Sequence, residues 1–153
     1  MSAERRELQF SSLDEVVADV EQLMRGEVRC SGNHSFPEII RHLAITHDVT
    51  TGRKAPPPLP FIMRLMMPFI RGSVLKGPAK PGFNLPGPAE NFFWPKPEMP
   101  IHEAFAYLKE SVEYYKANGP VAKHPIFGPV TKEQMDSLNF SHGAMHLSFV
   151  HPA

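Results

Sequence analysis

The chain of 153 residues contains one cysteine, Cys30. An internal disulfide is excluded, and a fold of this length has to be held by its apolar core. A lone thiol also fits a reducing compartment, so the expected location is cytoplasmic. An excess of charge of either sign is missing too, because 16 basic and 16 acidic residues cancel. The basic balance of a protein built to hold nucleic acid is absent, and no nucleic-acid partner is expected. Long apolar runs are also lacking. The most apolar stretch, Leu59 to Ile70, is broken by Arg64 and Pro68 and is shorter than the roughly 20 residues that span a bilayer. No membrane partner is expected. The N-terminal Met-Ser-Ala-Glu-Arg-Arg-Glu-Leu is charged, with no apolar segment behind it, which argues against a secretory signal. There is no Gly-rich phosphate loop behind a strand, no Gly-x-Ser-x-Gly and no Cys-His motif, so ordinary nucleophile chemistry has no support.

What the chain does have is proline and histidine. Twelve of its 17 prolines lie between Ala55 and Pro100, which predicts ordered ends around an irregular middle. Ser12-Leu-Asp-Glu15 reads as a capping box opening a first helix, with Leu13, Val16, Val17, Val20, Leu23 and Met24 as its apolar stripe and Gly26 as its stop. Ser35-Phe-Pro-Glu38 repeats the signal for a second helix, on which Phe36, Ile39, Ile40, Leu43 and Ala44 form the stripe. Pro56-Pro-Pro58 forbids helix locally, and Phe61 to Arg71 is expected to form a short helical piece interrupted near Pro68. The stretch from Gly77 to Pro100, with Phe83, Phe92, Phe93 and Trp94, reads as a long connection packed through its aromatics. A third helix follows Pro100 and stops at Asn118-Gly-Pro120. Thr131-Lys-Glu-Gln134 opens a fourth, with Pro152 marking its end. A single all-α domain over 1–153 is expected, a four-helix bundle with a long Pro-rich crossover, residues 51–100, between helices 2 and 3.

On the last helix His142 and His146 stand one turn apart, on the face that carries Met135, Leu138, Met145 and Phe149. Two imidazoles so placed can bring two nitrogens to one ion. A third ligand has to come from another helix. His42 sits at the edge of the second helix's stripe, but His47 lies in line with Ile40 and Leu43, so spacing does not separate the two. Three histidines without cysteine would leave a coordination position open, the pattern of a catalytic zinc or nickel site. A histidine on a helix face is also a common hydrogen-bonded core residue. His34, His102, His124 and His151 fall at a helix start, in loops or at the terminus, where capping or surface roles are expected. Arg53, Lys54, Arg64, Arg71, Lys76, Lys80 and Lys96 stand against Glu90 and Glu98 in the middle region. Arg64 and Arg71, seven apart, would share a helical face and suit an anionic substrate, against the plainer reading of a solvated basic surface. Glu38, one turn before His42, is either a partner of that histidine or simply the capping residue.

Three segments carry a resemblance: Gly32-Asn-His-Ser-Phe-Pro-Glu-Ile-Ile-Arg-His-Leu-Ala44, Pro68-Phe-Ile-Arg-Gly-Ser-Val-Leu75 with Pro81-Gly-Phe-Asn-Leu-Pro86, and His124-Pro-Ile-Phe-Gly-Pro-Val-Thr131 through His142-Gly-Ala-Met-His-Leu-Ser-Phe149. Together they resemble the domain-of-unknown-function 1569 family of the DinB-like superfamily of metal-binding four-helix bundles. The resemblance implies ligands at His42, His142 and His146, and so favours His42 over His47. His34 stands where relatives usually carry Trp. Asn139-Phe140 lies where relatives often carry a further His. Characterised DinB-like relatives include transferases and isomerases that use low-molecular-weight thiols, so the resemblance implies a metal-dependent enzyme, a thiol-dependent transferase or a hydrolase, with a homodimer as a common assembly. The alternative is a non-catalytic helical module for binding or dimerisation that keeps the scaffold.

Overall fold

The computed structural model describes residues 3–82, 85 and 87–153. Phe83, Asn84 and Pro86, part of the aromatic connection and of the quoted resemblance, lie outside the described residues. Among the described residues the chain is mostly helical, with two small sheets.

Helix α1, Leu13–Leu23, opens on Ser12, whose hydroxyl accepts the Glu15 N–H. The box is half formed, because the Glu15 carboxylate accepts from the N–H of Ser11 and not of Ser12. Its end is Met24, and Gly26 is not in the left-handed conformation expected of a stop. Helix α2, Phe36–Thr51, has both halves of its capping box, between Ser35 and Glu38, and ends on Gly52 at φ 83°, a conformation only glycine takes without strain. Helix α5, Ile101–Asn118, ends on Gly119, and helix α6, Lys132–Leu147, opens on the reciprocal box of Thr131 and Gln134.

One core joins them. Val16 and Val20 of α1, Ile40 and Leu43 of α2, Leu108 and Val112 of α5, and Met135 and Leu147 of α6 are buried in a single cluster. Each such side chain contributes about 1.5–3 kcal/mol relative to exposure. Gly143 of α6 marks a close approach: a Cβ there would meet Val16 Cγ2 at 3.1 Å.

The middle differs from expectation. Helix α3 runs from Phe61 to Lys76 with Pro68 inside it, and a further short helix, α4, spans Pro88–Phe93. The described residues of 51–100 thus hold the last residue of α2 and two further helices with connections. Proline loses one backbone hydrogen bond, but the turns on either side close and the helix continues to Ser73 O, which accepts from Gly77 N. The fourth predicted helix is also shorter than expected: α6 stops at Leu147, and Val150–Pro152 is a strand, β4, paired antiparallel with β1, Val28–Cys30. Between α5 and α6 lies a hairpin of β2, Lys123–His124, and β3, Gly128–Pro129. Among the described residues no helix is long and apolar enough to cross a membrane.

Candidate metal centre

The last two turns of α6 and the middle of α2 meet at three imidazoles. Ile39, Ile40 and Leu43 anchor α2 in the core, which leaves His42 facing α6. On α6, Gly143 lets the helix close on α1, so His142 and His146, flanking it, turn toward α2. His142 Nε2 lies 3.3 Å from His42 Nε2 and 3.0 Å from His146 Nε2. One nitrogen from each ring falls within 4.8 Å of the others. Zinc held tetrahedrally by nitrogens at about 2.0–2.1 Å has ligand-ligand edges of roughly 3.3 Å, so the spacing is that of a ligand set.

The tautomer of His42 is set by its other nitrogen. Nδ1 lies 2.9 Å from the Phe93 carbonyl at the end of α4, so Nδ1–H donates and Nε2 keeps its lone pair for the cluster. Trp94 stacks on the same ring at 3.8 Å between centroids, and on its far face His34 stacks at 3.5 Å. Burial pushes His42 and His146 well below the ordinary imidazole value, with the neighbouring His142 adding to it; burial alone takes His142 to about 4. All three rings are neutral near pH 7, the form in which imidazole binds metal. The residues therefore fit a divalent ion in donor type, protonation and spacing.

The cluster faces a cavity of about 790 Å³. Its walls include Trp94, Phe93, Ile126, Phe127, Met67 and Ile70, with Asn139 beside His142. The Asn139 amide nitrogen is buried without a hydrogen-bond partner among the described residues. Arg64 and Arg71 do not line this cavity. Arg71 instead donates from Nε to Phe127 O at 2.8 Å and from its terminal nitrogen to Pro129 O, tying α3 to the hairpin. Arg64 is exposed on α3. Their expected role in holding an anionic substrate has no geometric support, because neither residue lines the cavity.

The other histidines separate clearly. His47 is buried with Nδ1 3.1 Å from Ser111 Oγ on α5, away from the cluster, and burial takes it to about 3. His34, expected at the surface, is half-buried in the Trp94 stack and lines the cavity. His124 and His151, expected in capping or surface roles, are both buried, His124 accepting backbone N–H groups of its own turn, and among the eight histidines His102 is the exposed one. Glu38 is the capping residue, and it also pairs with Lys96. Cys30 is half-buried on β1, where burial pushes its thiol up and makes it a weak nucleophile. The reading of spacing missed the Phe93 carbonyl and the Trp94 indole as the groups that orient His42. The run Phe92-Phe93-Trp94 after the proline-rich stretch was the available signal, but it fixes packing without saying against what.

The family model described as Protein of unknown function (DUF1569) matches residues 2–153. No curated protein and no solved structure matches the chain.

Proposed function

We propose that this chain, which belongs to the DUF1569 family, is a metal-dependent enzyme of the DinB-like four-helix-bundle type, with His42, His142 and His146 holding one divalent transition ion, zinc or nickel. The observation that carries this reading is the convergence of the three imidazole nitrogens at the wall of a cavity. A bound ion would supply a Lewis acid that lowers the pKa of a thiol or water in its open position. The chain's own residues do the rest. Phe93 O holds the His42 proton on Nδ1, Trp94 fixes the plane of that ring, and the neutral state of all three imidazoles keeps their lone pairs available.

The walls say what kind of molecule fits. Aromatic and aliphatic side chains predominate, Lys80 is the one lysine or arginine among the lining residues, and Glu90 the one carboxylate. Such a pocket favours a bulky, largely apolar substrate over a multiply charged one, with a low-molecular-weight thiol or water as the second reactant. The non-catalytic alternative calls for histidines hydrogen-bonded to one another or to carbonyls, which the distances within the cluster and to Phe93 O allow, and for a filled, dry core beside His142, whereas a cavity lies there.

Elemental analysis of protein purified without a histidine tag tests the proposal. About one equivalent of zinc or nickel is expected, lost in His146→Ala. A preparation without stoichiometric metal, with the same metal content in His146→Ala, would sink it.

A further inference from the structure

Seven large apolar side chains stand exposed among the described residues, and six of them lie on α3. Phe69 is 88% exposed, Phe61 70% and Ile62 69%, with Leu65 and Met66 more than half exposed. At 100° per residue these five fall within one arc of about 140°. The opposite side of the helix is occupied, since Met67 and Ile70 line the histidine cavity and Leu75 enters the core. The helix is therefore docked by one face and left bare on the other.

Charge says what the bare face meets. Between Asp48 and Glu90 the chain has six cations, Arg53, Lys54, Arg64, Arg71, Lys76 and Lys80, and no acid, although the whole chain is neutral. On the same wheel Lys76, the last residue of the helix, falls within the apolar arc and the exposed Arg64 lies about 60° beyond its edge, whereas Arg71 turns to the hairpin. Arg71 is satisfied by two backbone carbonyls, which leave its charge unneutralised. Arg64, Lys76 and Lys80 have no carboxylate partner among the described residues. A second copy joined through this face about a two-fold axis would set one basic strip against another. An anionic lipid surface complements both features, taking the apolar arc at the headgroup boundary and Arg64 and Lys76 at its phosphates.

We propose that α3 is an interfacial helix by which the protein lies on anionic membrane surfaces, without spanning them. This departs from the sequence expectation of no membrane partner, which rested on the shortness of the apolar run. It is also independent of the metal: the lipid face and the cavity wall are opposite sides of one helix.

Co-sedimentation with vesicles tests it, using phosphatidylcholine alone and phosphatidylcholine mixed with phosphatidylserine. The wild-type protein should pellet with the mixed vesicles, release on raising salt, and stay largely in solution with the neutral ones. Phe69→Asp and Arg64→Glu should each weaken partition by about tenfold or more, with unchanged circular dichroism because both residues are exposed. A wild-type protein that ignores both vesicles overturns the proposal, as does binding that Phe69→Asp leaves intact. A lipid-free dimer in analytical ultracentrifugation that Phe69→Asp dissolves would give the face to a second copy and overturn it equally.

Discussion

His42 and His47 are both buried on α2, and only His42 reaches the cluster. Spacing could not choose between them, because α2 is buried on several sides and its apolar pattern points nowhere in particular. What decides is the partner on the ring's second nitrogen: a carbonyl for His42, a serine hydroxyl for His47. Trp94 is the only tryptophan in the chain and stacks on His42, so its fluorescence should report the site directly. Titrating Co²⁺ or Ni²⁺ into metal-free protein should quench it with one-site saturation, and His142→Ala should abolish that saturation. Trp94→Leu should weaken metal binding about 2- to 10-fold, the value of one stacked pair that orients a ligand, as measured by competition with a chelating dye. His124 permits a separate test of pH. Its Nδ1 accepts the Ile126 N–H at 3.0 Å and the Phe127 N–H at 3.4 Å, which requires an unprotonated nitrogen. Burial lowers it from 6.5 to about 4. The folded value is depressed, so the stability it carries is full above 6.5 and is lost as pH falls through about 4, a loss on the order of 3 kcal/mol. Urea midpoints measured across that window should fall with pH, and less steeply in His124→Asn, whose amide oxygen can accept the same bonds without titrating.

Helices α1, α2, α5 and α6 were legible because each opens with a capping residue or a proline and then repeats apolar positions around a shared core. Helix α3 was read as a broken piece for a sound local reason, the proline at its centre, which costs a helix about 3 kcal/mol relative to alanine. The structure retains it because Met67, Leu75 and the Arg71 bonds to the hairpin hold both halves in place. Pro68 itself is exposed. Pro68→Ala should therefore restore the missing hydrogen bond without disturbing packing, and raise the stability of α3 by up to about 3 kcal/mol. Hydrogen exchange of the α3 amides, slower in the variant, is the measurement. The strands were not legible at all. They are two or three residues long, too short for an alternation to register, and the β1–β4 pair joins segments from opposite ends of the chain. That pairing is also why the last helix ends before Pro152.

At the scale of the whole molecule, the cluster joins residues that are 100 positions apart, and packing of α2 on α6 is what closes that distance. The sequence carried the ligand types and the pair on α6. It did not carry the wall of α3 and α4 residues that makes a cavity of the space in front of them. The free cluster is electrostatically unsettled. His42 Nε2 has no proton to give, and His142 Nε2 faces a ring nitrogen on each side, at 3.3 and 3.0 Å, so one shared proton cannot satisfy all three. A cation accepting three lone pairs would resolve this, and would do so only where the fold brings the rings together. By linkage, metal at about 100 times its dissociation constant should add about 2.7 kcal/mol of stability, a rise of roughly 5–10 °C in melting temperature for a domain of this size. The comparison is each protein with and without chelator, since His142→Ala also removes a buried ring and shifts the baseline. The wild type should lose the increment on chelation, and His142→Ala should melt at the same temperature in both conditions. A wild-type melting point indifferent to zinc, nickel and chelator would leave α2 and α6 held by packing alone and the three imidazoles without an ion to share.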